Sequence, residues 1–289
     1  MTATPGARDA GLTLRRLGSA DLPACLALTQ AVNWSHRLED WAFHLRLGRG
    51  FGIDDERGEL VGTIIWWAYG AELGALGLVV VRGDCQGRGL GRRLMDAVLA
   101  EAGARAMQLV ATQAGIKLYR DCGFVVTGDI EQVQGTIGTV PVAARHGLVL
   151  RPVAAADLAT LRELDARALG APRHELIDAV LQEGGAGTLA LRAGVPAGFA
   201  LQRAAGRGML VGPVIADDEA TAIALVGERL RAIQGFTRLD VPGDAAALRA
   251  FLADAGLAGV DRVTAMRRGT APPADPQLRR WGLVSQAFG

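Results

Sequence analysis

At 289 residues, half of them hydrophobic and 21% charged, the chain is long enough for two domains with real cores and too apolar to be disordered. Its 31 basic and 30 acidic residues leave a net charge of +1, which gives no electrostatic footprint of nucleic acid or of an anionic membrane surface. Cys25, Cys85 and Cys122 are odd in number and widely separated, and His36, His44, His146 and His174 lack ligand spacing, so neither a disulfide framework nor a metal site is expected.

Residues 1–10 hold no apolar signal segment. A strand is expected at about 11–17, helices at about 20–32 and 37–47, and strands at about 49–55, 60–69 and 73–81. Residues 60–81 carry one charge, Glu72, and have the length of a membrane span. Their β-branched and aromatic residues, broken at Tyr69-Gly-Ala-Glu72, read instead as two strands and a hairpin loop. A glycine-rich turn then leads to a helix at about 91–103, a strand at about 105–111, a helix at about 113–122 and a strand from Phe124. Further strands are expected at about 147–153, 186–193, 196–204 and 208–215, then a helix at about 218–233, a strand at about 236–241, a helix at about 244–255 and a strand near 259–266. A Pro-containing stretch, residues 271–276, leads to a tail whose apolar anchors Trp281, Leu283 and Phe288 should dock on the body.

The order of elements repeats, and so do residues. Leu14-Arg15 recurs as Leu150-Arg151, Ala20-Asp21-Leu22 as Ala156-Asp157-Leu158, and Leu28 as Leu164, each 136 positions later (150 − 14). Asp121-Cys-Gly-Phe124 resembles Asp254-Ala-Gly-Leu257 at an offset of 133 (254 − 121). A repeat this long indicates domain duplication, with units at 1–140 and 147–289. Mixed strands with interspersed helices give the fold class: α/β of mixed, α+β type.

The segment richest in chemistry runs from Leu78 to Met95. A buried strand enters Gln86-Gly-Arg-Gly-Leu-Gly91, and an amphipathic helix follows. Backbone N–H groups at a helix start lack intrahelical partners, and with the helix dipole they form an anion site. Glycines let phosphate oxygens approach the backbone. Arg88, Arg92 and Arg93 add positive charge. A dinucleotide fingerprint is excluded because Arg92 stands where its third glycine belongs, and no Gly-Lys-Ser/Thr follows for a nucleotide-triphosphate loop.

Residues 86–91 match the Gln/Arg-x-x-Gly-x-Gly/Ala loop of the GCN5-related N-acetyltransferases (GNAT). Thr112-Gln-Ala-Gly-Ile-Lys-Leu-Tyr-Arg-Asp-Cys-Gly-Phe124 resembles the later helix of that family, which ends Leu-Tyr-x-x-x-Gly-Phe. One helix and one strand separate the two motifs, as is usual there. The resemblance covers residues 12–137, and the second unit resembles a degenerate copy. It implies two tandem GNAT-like domains, each a mixed, mostly antiparallel sheet flanked by helices. It also implies acetyl-CoA as acyl donor, with the backbone of Val79, Val80 and Val81 against the pantetheine arm. Gln86, Arg88 and Arg92 would flank the pyrophosphate, and the amides of Gly87, Gly89, Leu90 and Gly91 would hold it. The amine attacks the thioester directly, with no covalent enzyme intermediate.

By the same resemblance Tyr119 is the acid for the departing thiolate. Phenol and thiol pKa values of about 10 and 8.5 make full transfer uphill by about 2 kcal/mol, small enough for assistance by hydrogen bonding or donation. No general base is evident. Glu72, His36 and Asp40 are candidates, and a water chain is an alternative. Trp34, His36, Arg37, Asp40 and Trp41 fall where the family places its acceptor-binding helices and loop. Trp66 and Trp67 are adjacent on a strand, so one should enter the core and the other, taken as Trp67, the cleft. This rim suits a small amine with an apolar part or a carboxylate.

In the second unit Ala216-Asp-Asp-Glu-Ala220 replaces the phosphate loop and Leu252 stands where Tyr119 does, so one CoA per chain is expected. Lys117 is the sole lysine, which codon usage or avoidance of self-acylation would explain. The expected protein is a cytoplasmic, soluble N-acetyltransferase for a small-molecule amine, without nucleic-acid or membrane partners. A non-catalytic acyl-CoA sensor or scaffold and a protein-lysine acetyltransferase are the alternatives. The sequence does not fix the oligomeric state.

Overall fold

The computed structural model describes residues 11–145 and 147–289, so the leading segment read above for targeting, and His146, lie outside the described residues. The first copy comprises β1 (Thr13–Arg16), α1 (Leu22–Ala31), α2 (Leu38–Leu47), β2 (Arg49–Asp54), β3 (Leu60–Tyr69), β4 (Leu73–Val81), α3 (Leu90–Ala102), β5 (Ala106–Ala111), α4 (Ile116–Asp121) and β6 (Val125–Thr136). The second comprises β7 (Leu148–Pro152), α5 (Leu158–Leu169), α6 (His174–Gln182), β8 (Ala186–Arg192), β9 (Val195–Ala205), β10 (Gly208–Ala216), α7 (Glu219–Ala232), β11 (Phe236–Pro242), α8 (Ala246–Asp254) and β12 (Ala258–Arg268). A last strand, β13 (Arg279–Gly282), belongs to the tail.

The duplication is visible at atomic level. Arg15 makes a two-pronged ion pair with Asp21, whose carboxylate also accepts from the Gly18 amide. Arg151 does the same with Asp157, and Asp157 accepts from the Ala154 amide. Both carboxylates receive a guanidinium fork and a backbone donor just before a helix, where negative charge is favoured.

The mixed α/β sheet flanked by helices is present, but the two copies share it. Among the described residues one sheet runs β1-β2-β3-β4-β5-β12-β6-β11-β10-β9-β8-β7, with β13 beside β10. The closing strands are exchanged. β12 of the second copy pairs with β5 of the first, β6 of the first pairs with β11 of the second, and β6 and β12 pair with each other. The linker after β6 therefore joins two units that complete one another's sheets.

Strand β4 is apolar along its whole length because helices cover both its faces. Helix α3 buries Leu90, Leu94, Met95, Val98 and Ala102, a stripe at helical spacing, against one face. Trp41, Phe43 and Phe288 pack with Trp67 on the other face. Trp66 and Trp67 do point to opposite faces, but both are core: each is no more than 2% exposed. No helix among the described residues is long and apolar enough to cross a membrane.

Candidate functional site: a splayed strand pair and the cavity beside it

Strands β4 and β5 run parallel and pair only over residues 73–75 and 106–108. Beyond Ala75 they separate. The remaining half of β4 keeps its bonds to β3 on one edge, with Gly62 opposite Val81 and Thr63 opposite Val80. Its other edge, carrying Val79, Val80 and Val81, is left without a strand partner among the described residues. Such an edge presents a row of free backbone groups to an extended ligand. At the point of divergence β4 bulges: Leu78 has φ +53°, and the register with β3 shifts there. Thr63 donates its hydroxyl to the Leu78 carbonyl at 2.9 Å, which fixes the peptide orientation. A non-glycine residue held in this conformation beside a cleft marks a site where backbone geometry is used.

The open edge leads to the loop of residues 86–91. Gly87 and Gly89 have φ of +74° and +83°, and a Cβ on either would meet nothing within 4 Å. Their backbone faces open space in a conformation that side chains resist. Gly89 caps α3, and the first intrahelical bond runs from Arg93 N to Gly89 O. The amides of Leu90, Gly91 and Arg92 are thus the orphan donors of a 13-residue helix. This cradle fits a pyrophosphate. The Gln86 side chain bonds the Val81 carbonyl at 3.1 Å and ties the loop to the strand end. Arg88 is exposed beside it. Arg92, expected at the phosphates, is instead held by Asp96 and the Asp121 carbonyl, because the carboxylate one turn on captures it. Arg93 reaches the Leu12 carbonyl.

Tyr119 lies on α4, 7% exposed, with its ring against Phe124 at 6.2 Å. Burial pushes its phenol well above the ordinary value. Only two tyrosines exist, and the other, Tyr69, donates to the Phe288 carbonyl at 2.7 Å.

On the α1–α2 side, a cavity of about 270 Å³ opens onto Gly77 and Leu78 of the bulge and Val110 and Thr112 at the end of β5. Of the residues expected at the acceptor, Trp34, His36 and Asp40 line it. Trp41, Trp67 and Glu72 do not. Trp41 is fully buried and bonds Thr29 Oγ1 at 3.0 Å, and Trp67 is fixed by the His44 carbonyl at 3.0 Å. Glu72 sits in the exposed β3–β4 turn, at the opposite end of β4 from the bulge, so it cannot serve as base.

Asp40 is a poor base for a different reason. It accepts from Arg37 and from the Gly206 amide and lies beside Arg203, and although burial opposes this, those bonds hold its carboxyl down at about 2. Burial lowers His36 to about 4 and His44 well below the ordinary histidine value, so both are neutral near pH 7, and the Nδ1 of each is buried without a partner. His44 was not foreseen. Only its position on α2, eight residues after His36 in the loop that precedes that helix, could have suggested it.

The second copy supplies the rest of the wall: Arg203, Gly206 and Arg207 from the β9–β10 hairpin, Phe236 and Arg238 from β11, and Ser285–Ala287 of the tail. The tail's path explains this. Strand β13 pairs with β10 over Val214–Ala216, and the Leu283 amide bonds the Asp240 carbonyl of β11. The tail thus fills, in the second copy, the wedge between parallel strands that stays open in the first. It continues to Ala287, whose Cα lies 3.0 Å from where a Cβ on Gly77 would stand, and to Phe288, stacked on His44 at 4.6 Å. Just beyond this same end of β10, Asp218 caps α7 by accepting from the Thr221 amide, so a carboxylate occupies the anion position.

Two family models, each described as an acetyltransferase (GNAT) domain, match residues 48–126 and 161–279. The chain is 26% identical to an uncharacterized N-acetyltransferase, YitH, of Bacillus subtilis, over 84% of this chain and 86% of that one. It is 30% identical to an L-methionine sulfoximine/L-methionine sulfone acetyltransferase of Pseudomonas aeruginosa, over 44% of this chain and 87% of that one. A putative acetyltransferase from Pyrococcus horikoshii has the same fold, with a TM-score of 0.78 and 19% identity over 100% of this chain and 99% of the other.

Proposed function

Because the chain belongs to the GNAT family of acyl-transferring enzymes, with two copies of the domain in tandem, we propose that its first copy transfers acetyl from acetyl-CoA to the primary amine of a small molecule. One observation carries this reading: the unpaired edge of β4 joins the glycine cradle at α3 on one side and the bulge-lined cavity on the other. The thioester supplies an activated acyl group, and the chain's residues bind, orient and handle protons. Val79–Val81 pair with the pantetheine arm, and the amides of Gly87, Gly89, Leu90 and Gly91 hold the pyrophosphate. The bulge at Leu78 presents its backbone to the acyl carbonyl. Tyr119 donates a hydrogen bond to the departing sulfur. Its raised phenol keeps its proton, which favours hydrogen bonding over complete transfer.

The size of the cavity supports a metabolite over a protein lysine. A cavity of about 270 Å³ walled by both copies is of a size that suits a small molecule. The second copy binds no CoA on this reading, because its own tail lies in the wedge and Asp218 sits at the helix start. The test is release of free CoA thiol from acetyl-CoA with a panel of primary amines that includes L-methionine sulfone, the substrate class in the Pseudomonas relative's name. Turnover with a small amine is expected. Turnover with lysine peptides only, or acetyl-CoA binding without any transfer, would favour the protein-modifying or the sensor alternative.

A further inference from the structure

The acceptor cavity has two unlike walls. The first copy contributes the bulge, Trp34, two neutral histidines and the carboxylate of Asp40, whereas the positive charge comes from the second copy. Three guanidinium groups line that side: Arg203, Arg207 and Arg238. Arg238 is satisfied by a two-pronged pair with Asp240. The other two have no two-pronged partner. Arg207 lies over the Phe236 ring at 4.4 Å, and among the described residues no carboxylate pairs with it. Arg203 is 4% exposed and lies over the Phe43 ring; one terminal nitrogen donates to the Ala204 carbonyl at 3.2 Å and reaches Asp40 only at 3.5 Å, and its Nε is buried without a partner. Ser285 Oγ, on the same wall, is also buried and unpartnered.

The carboxylates lining the cavity do not answer these donors. Asp40 is saturated by Arg37 and the Gly206 amide, and Asp261 is exposed. A buried guanidinium nitrogen without a partner is costly unless a ligand supplies the acceptor. A planar guanidinium fork matches a carboxylate in geometry as well as charge.

We infer that the acceptor is an amino acid, an amine bearing a free carboxylate, and that the second copy is the half that reads the carboxylate. This rests on the acetyltransferase reading of the first copy. Arg203, Arg207 and Ser285 hold the carboxylate, Trp34 and Phe236 flank the apolar part, and the amine points toward the bulge at Leu78. The copy that lost its cofactor cradle has become the recognition wall of the other.

The test is binding, not turnover. The intact chain saturated with CoA is titrated calorimetrically with free amino acids and with matched amines lacking the carboxylate: phenethylamine against phenylalanine, 3-methylbutylamine against leucine. O-Phosphoethanolamine stands for a phosphate-bearing amine. At least one amino acid should bind tenfold or more tightly than its matched amine. Arg207→Gln, an exposed position where the fold is not at risk, should remove that advantage and leave CoA affinity unchanged. Arg203→Lys should do the same if it folds. Equal affinity for acid and amine, preference for the phosphoamine, no binding of any amino acid, or an Arg207→Gln variant that keeps full discrimination would each overturn the inference. Failure of the chain to bind CoA at all is a separate result, and it would remove the reading beneath.

Discussion

At the scale of single residues, the account turns on Tyr119 and the two buried histidines. In the mechanism we propose, the Tyr119 hydroxyl acts on charge that develops at sulfur only during reaction, so its loss belongs in kcat. Tyr119→Phe should lower kcat by about 10²-fold or more with acetyl-CoA affinity little changed, as read by steady-state kinetics and calorimetry. A wild-type rate across pH would remove Tyr119 from the mechanism. His36 makes a separate prediction about stability. Its pKa falls from an ordinary 6.5 to about 4 on folding, so between those values the unfolded chain binds more protons. Stability should therefore fall as pH drops from about 6.5 to about 4, by about 3 kcal/mol from this residue, with His44 acting in the same direction. Asp40, held at about 2, keeps its contribution through that window and loses it only as pH falls further. Urea unfolding at pH 7 and pH 5 should show the loss, and His36→Gln should show a smaller one. Of the residues named from sequence, the glycines of the loop were legible because backbone conformation there needs glycine. The aromatic residues were not: nothing in sequence separates a tryptophan that lines a cleft from one that fills a core, and Trp41 and Trp67 both fill it.

At the scale of elements, the apolar pattern places β3 and β4, which are continuous apolar runs buried on both faces, and α3, whose apolar stripe is buried on one. Helices α5 and α6 lie outside the expected set although Leu158, Leu161, Leu164 and Ala168 recur at helical spacing. The tail was expected to dock, and Trp281, Leu283 and Phe288 are each under 10% exposed, but its role as a strand was not legible. Four residues carry too short a pattern, and their partner edge exists only because β10 and β11 splay. Gly212 tests the docked tail. A Cβ there would overlap the Leu283 carbonyl, so Gly212→Val should cost about 1–3 kcal/mol by overpacking. Displacing Leu283 also disturbs Ser285–Ala287, so the acceptor KM should rise while acetyl-CoA KM holds. A variant with unchanged thermal midpoint and unchanged acceptor KM would show that the tail does not shape the site.

At the scale of the whole molecule, duplication was readable from Arg15–Asp21 and Arg151–Asp157, but the exchange of β6 and β12 was not. Strand partners are chosen by three-dimensional packing, and each strand's own pattern fits either copy. The exchange means that neither copy holds a complete sheet alone, so intact chain is the proper material for counting sites. One copy offers an open wedge and a glycine cradle, and the other offers a filled wedge and a capping carboxylate. The most direct measurement is a calorimetric titration of the intact chain with CoA, repeated with Gly89→Glu, which puts a side chain and a negative charge into the cradle. The account predicts one CoA per chain in the wild type and none in the folded variant. Two per chain, or one that survives Gly89→Glu with the fold intact, would contradict it.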